Sequence, residues 1–107
     1  MRGSQIRIYM APKIATAVEI VDGISFRLRT DNIVILDGVV PPVKNSEKDK
    51  LAMVKLAELI LKKKCIIENH VNADGRTFDA FGRSNSQVNL EDGTDINKAM
   101  KEFLDKL

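Results

Sequence analysis

The sequence predicts a mainly-β domain, a closed β-barrel of short strands that also carries two helices. Three observations predict it. Short alternating or β-branched runs separated by turn residues fill the first third of the 107-residue chain. One long Lys/Leu/Ala helix pattern then interrupts them, and further strand patterns follow before a second amphipathic helix. Strands this short need closure to hide their edges.

The elements follow in order. QIRIYM at residues 5–10 alternates, KIATAVEIV at 13–21 is rich in β-branched residues, and ISFRLR at 24–29 alternates cleanly. In the last, Ile24, Phe26 and Leu28 share one face, while Ser25, Arg27 and Arg29 share the other. Ala11-Pro12, Asp22-Gly23 and Thr30-Asp31-Asn32 supply the breaks. NIVILDGVVPPVK leads into SEKDKLAMVKLAELILKKK, a helix with Ser46 as its cap and Glu47 and Asp49 in its first turn. Lys62, Lys63 and Lys64 suit its negative end, and Lys55, Glu58 and Lys62 form its solvent stripe. The remaining apolar positions cover well over half its circumference, so the helix is expected to be substantially buried. CIIENHV reads as a strand, NADGR as a turn, and TFDAFGRSNSQVNL as a longer bent strand in which Gly82 marks a bulge or close approach. EDGTD is a turn, and INKAMKEFLDKL is a helix with Ile96, Met100 and Phe103/Leu104 facing inward. A five-stranded barrel with a helix between its third and fourth strands is the OB arrangement. Residues 1–12 are expected to form an N-terminal arm, adding an extra strand, and residues 13–107 the OB domain.

Composition excludes several classes. Hydrophobic residues at 44% and charged residues at 30% fit a single globular domain and not a disordered chain. No apolar run reaches the roughly 18–20 residues that span a bilayer, and the N-terminus lacks a signal-peptide core. A net charge of +2 does not by itself imply nucleic acid. The single cysteine, Cys65, allows no internal disulfide and no metal-ligand spacing; it reads as a small core hydrophobe, and a reducing, cytoplasmic setting is expected.

The order VDGISFRL, a strand ending in DGVVPP, the Lys/Leu/Ala helix, DAFGR and EDGTDINKAMKEFL resembles the staphylococcal nuclease (thermonuclease) domain over residues 15–107. The resemblance implies a five-stranded OB-fold barrel of the staphylococcal nuclease type. In that family aspartates hold calcium, a glutamate serves the attacking water, and two arginines stabilise the phosphate. Carried over, the acid after Asp-Gly falls on Ile24, the arginine of the third-strand motif on Ile35, and the acids of the following loop on Val40 and Val43. Pro42 keeps the family's proline and Arg83 its FGR arginine; the preceding tyrosine is Phe81 and the basic residue before it Ala80. Hard cations need several oxygen ligands, and phosphoryl transfer depends on charge stabilisation, so this pattern implies lost catalysis and no cofactor.

The resemblance and the residues together predict a catalytically inactive binding module for single-stranded nucleic acid or a protein partner. Ile24, Ile35, Val40 and Val43 are expected to convert the barrel mouth into packing surface, a plug that also suits a protein partner, self-association, or closure by QIRIYM. Arg83, Arg27, Arg29 and Phe81 are the ligand-binding candidates, with Arg7 completing a basic groove; Arg83 alternatively pairs with Asp79 or Asp37. His70 is expected to face solvent. The alternative function is a divergent metal-dependent phosphodiesterase that uses Asp22 and Asp37 for calcium, with Arg83.

Overall fold

The computed structural model describes residues 13–69 and 83–107. The expected N-terminal arm, His70, Asp79, Phe81 and Gly82 lie outside the described residues. Five strands and two helices follow in chain order. They are β1 (Lys13–Asp22), β2 (Ser25–Leu28), β3 (Ile33–Leu36), α1 (Glu47–Ile60), β4 (Lys64–Asn69), β5 (Arg83–Leu90) and α2 (Ile96–Asp105). Among the described residues, no helix is long and apolar enough to cross a membrane.

The sheet closes on itself in the order β1-β2-β3-β5-β4, with β4 returning to β1. Every strand therefore has two hydrogen-bonded neighbours, as a closed sheet requires. All neighbours are antiparallel except β3 and β5, which run parallel from Ile33 opposite Arg83 to Leu36 opposite Ser86. β1 serves two partners in turn: Lys13–Thr16 pairs with β4 and Ala17–Asp22 with β2. Its register shifts between Ala17 and Glu19 and again between Ile20 and Asp22. Such bulges bend and twist a strand, which lets ten residues wrap from one neighbour to the next.

The alternation read in the sequence sets the interior. Phe26, Leu28, Val34, Leu36, Cys65, Ile67, Val88 and Leu90 point inward, and α1 and α2 add Ala52, Leu56, Ile60, Ile96, Met100 and Leu104. Each large apolar side chain removed from water contributes roughly 1.5–3 kcal/mol. β5 also turns Ser84 and Ser86 inward, and their hydroxyls lie 3.1 Å apart, so each meets a polar partner in the core.

Both helices begin as the sequence indicates. The Asp49 N–H donates to Ser46 Oγ at 3.1 Å, and the Lys98 N–H donates to Asp95 Oδ1 at 3.0 Å. That backbone bond, helped by Gln87, lowers the Asp95 pKa. The end of α1 differs from expectation. The helix stops at Ile60, and Lys62 turns left-handed at φ 64° with its N–H donated to Ala17 O at 2.8 Å. β1 captures this backbone, so Lys62, Lys63 and Lys64 make a turn and open β4 instead of closing the helix. The burial of α1 is also narrower than its composition suggests. One stripe of Asp49, Ala52, Leu56 and Ile60 is buried, whereas Leu51 and Val54 are 42% and 59% exposed on the opposite side. Lys55 leaves the expected solvent stripe and sits over the Phe103 ring, 5.7 Å from its centroid.

Two buried polar side chains join helices to loops. Asp49 Oδ1 accepts from the Gly23 N–H at 2.9 Å, and its Oδ2 accepts from the Asn45 N–H at 3.0 Å. Asn97 Oδ1 accepts from the Val88 N–H at 2.8 Å. Its Nδ2 donates to the carbonyls of Asp37 at 2.8 Å and Ser86 at 2.9 Å. The approach at Gly23 is close enough to demand glycine: a Cβ there would lie 2.8 Å from Asp49 Oδ1 and 2.9 Å from the Ala52 Cβ.

Three outcomes follow for urea unfolding. Gly23→Ala is expected to destabilise by about 1–3 kcal/mol through overpacking. Asn97→Ala leaves the Val88 N–H buried and unpaired, costing about 1–3 kcal/mol, and Asn97→Asp fails to rescue because it sets a carboxylate against two carbonyls. Burial raises the Cys65 pKa from 9.0 to about 11. Between those values the unfolded chain ionises first, so stability falls as pH rises, and Cys65→Ala flattens that slope.

Candidate functional site

The turn between β1 and β2 and the loop from β3 to α1 meet at one end of the sheet. Asp22 lies opposite Ser25, Ser25 lies opposite Ile35, and Asp37 follows two residues beyond Ile35. The Ile24 N–H donates to Asp22 Oδ1 at 2.9 Å, so Asp22 closes its own turn. Gly38, at φ 79°, leads the chain out of β3. A cleft of about 260 Å³ beside Asp22 includes Asp49, but both Asp49 oxygens already accept backbone N–H groups. Among the described residues, no three His, Cys, Asp or Glu side chains form a metal-holding group.

The plug expected here divides into two parts. Ile24 is buried and Ile35 packs against the core, as packing surface should. Val40 and Val43 do not: they are 82% and 79% exposed. Val39 is buried in their place, and Pro42 Cγ closes over Gly23, 3.3 Å from where a Cβ would stand. Val39 thus faces the core while its neighbour Val40 faces solvent. The loop seals the core through Val39 and Pro42 and shows two branched apolar side chains to solvent.

The basic candidates occupy the outer face of the sheet. Arg27 lies opposite Ile33, and Ile33 lies opposite Arg83, so the three form one row across β2, β3 and β5. Two interstrand spacings put the arginine backbones roughly 10 Å apart. Arg27 Nε donates to Glu19 Oε1 at 2.9 Å, and Arg27 Nη1 approaches Asp31 Oδ1 at 3.5 Å. The Glu19 bond is the main reason the Arg27 pKa is raised, and the two carboxylates offset its charge. Arg29 lies past the end of β2, exposed, with its N–H donated to Thr16 O at 2.9 Å. Phe81 and Arg7 lie outside the described residues. Phe26 is wholly buried and Phe103 half-buried, so neither offers an open stacking face.

Two further clefts flank these surfaces. One, of about 250 Å³, lies between the β3–α1 loop and α2 and includes Val40, Pro42 and Leu104 with Lys48 and Lys101. The second, of about 320 Å³, lies at the opposite end of the sheet, where Leu28, Val34 and Ile67 meet Lys13, Thr30 and Asn32. Sequence patterns gave no sign of Asp49 or Asn97 as buried anchors, nor of Lys48 and Lys101 sharing a cleft. The pairing of Asp49 with a Ser three residues earlier was the one available signal, and it indicated only a helix start. No protein-family model matches the chain, and a search of characterised proteins finds no match.

Proposed function

We propose that this closed sheet is an OB-fold barrel of the staphylococcal nuclease type, catalytically inactive and used as a binding module for a protein partner. The strand order β1-β2-β3-β5-β4, with α1 between β3 and β4, supports the OB reading. One observation carries the choice of partner: Val40 and Val43 stand exposed where the nuclease family resemblance places acids. A side chain that is 82% exposed contributes little to the core, and a valine offers a cation no oxygen. Val40 also lines the cleft against α2, and an exposed apolar side chain at the rim of a cleft suits a protein contact.

A second reading, single-stranded nucleic acid on the outer sheet face, is favoured by the register that aligns Arg27, Ile33 and Arg83. Glu19 and Asp31 beside Arg27 weaken it.

Labelled single-stranded DNA and RNA should remain intact with the protein in calcium and in chelator alike. Chelator-sensitive cleavage that Arg83→Ala abolishes would overturn the inactive reading and establish the metal-dependent phosphodiesterase. Any weak nucleic-acid binding should vary little with salt; a log K against log[salt] slope of about −0.7 per phosphate contact would favour the second reading over the first.

A further inference from the structure

The cleft between the β3–α1 loop and α2 combines size, apolarity and charge in a way that specifies an occupant. Val40 and Pro42 come from the loop and Leu104 from α2, giving an apolar lining. Lys48 from the first turn of α1 and Lys101 from α2 add two ammonium groups. Asp105 supplies one opposing carboxylate, so the charge of the lining is +1 (two lysines less one aspartate). Lys101 and Asp105 are four residues apart on one helix, and no ion pair joins the two.

The volume suits a side chain. At about 250 Å³ the cleft lies near the lower bound of the roughly 300–1,000 Å³ typical of small-molecule sites. A cavity of about 150 Å³ suffices for a benzene ring, so one aromatic or large aliphatic side chain fits here with room to spare. The chemistry is that of an anchor residue entering an apolar slot while flanking groups meet charge at its margins.

We propose that this cleft docks an acidic peptide segment of a partner protein, with one large apolar side chain seated among Val40, Pro42 and Leu104 and its neighbouring carboxylates facing Lys48 and Lys101. The proposal rests on the protein-binding reading of the β3–α1 loop and names the partner's chemistry. One anchor and two exposed ion pairs give weak recognition, with a Kd on the order of 100 µM for an isolated peptide. A partner making further contacts at Val43 would bind more tightly.

The test is amide chemical-shift mapping of the full chain against short synthetic peptides. The probe has a central phenylalanine flanked by glutamates and serines; controls replace the phenylalanine with alanine or the glutamates with lysines. The acidic aromatic peptide should shift resonances of Val39, Val40, Lys48, Lys101 and Leu104, and both controls should not. Lys48→Glu with Lys101→Glu should weaken the acidic peptide about tenfold. Asp105→Asn should tighten it by about twofold, and that gain separates a charge effect from damage to the fold. Absence of shifts at millimolar peptide, equal binding of the lysine control, or weakening by Asp105→Asn would overturn the proposal. Shifts in the same residues on dilution of the protein alone would also overturn it, assigning the cleft to a second copy of the chain. A single-stranded RNA arm separates the two levels. RNA-induced shifts confined to Arg27, Ile33 and Arg83, with none from peptide, would defeat both the cleft and the protein-partner reading. Silence from both ligands would defeat the cleft alone.

Discussion

The Asn97 carboxamide is the constraint on which the closed sheet most depends. β3 and β5 come together from distant parts of the chain, and they are parallel, so no hairpin turn fixes their alignment. Asn97 supplies the missing alignment from outside. It reads the backbone of β5 at Ser86 and Val88 and the end of β3 at Asp37, meeting one donor with its oxygen and two acceptors with its nitrogen. The Asp37 N–H in turn donates to Ser86 O at 3.0 Å. A buried amide that satisfies all three groups favours one register, because a slip would leave several polar atoms buried without partners.

Asp49 does the corresponding work at the other helix. It holds the β1–β2 turn at Gly23 and the loop at Asn45 against the start of α1. With both ends of the β3–α1 loop fixed, through Asn97 at Asp37 and Asp49 at Asn45, the span between them has little freedom. Val39 and Pro42 face the protein, which leaves Val40 and Val43 facing solvent. The apolar display is thus a consequence of how the loop is pinned. It leaves two branched hydrocarbon side chains in contact with water.

Much of this architecture was legible in the residues. Strict alternation in ISFRLR placed Phe26 and Leu28 inside, the Ser46 cap marked the start of α1, the EDGTD turn preceded α2, and Asp22-Gly23 separated β1 from β2. What escaped depended on contacts between distant segments. Apolar composition made α1 look more buried than it is, since Leu51 and Val54 match the core residues chemically and differ only in what lies opposite them. Lys62–Lys64 suited a helix end by charge, but the backbone of β1 decided where the helix stopped. Val40 and Val43 matched expected core filler, while the path of the loop gave that role to Val39. Asn97 is ordinary in a helix sequence, and its importance arises only because two strands converge beneath it.

The parallel contact between β3 and β5 also governs the order in which this polypeptide can mature. Some 46 residues separate Leu36 from Arg83, so the pairing is distant along the chain and slow to form relative to the local hairpins. A ribosome delivers β1 to β3 and α1 long before it releases the segment that completes the circle. Until then, β3 and β4 each present an unsatisfied margin to every neighbouring nascent chain. Protection against misassembly therefore waits until β5 has been made.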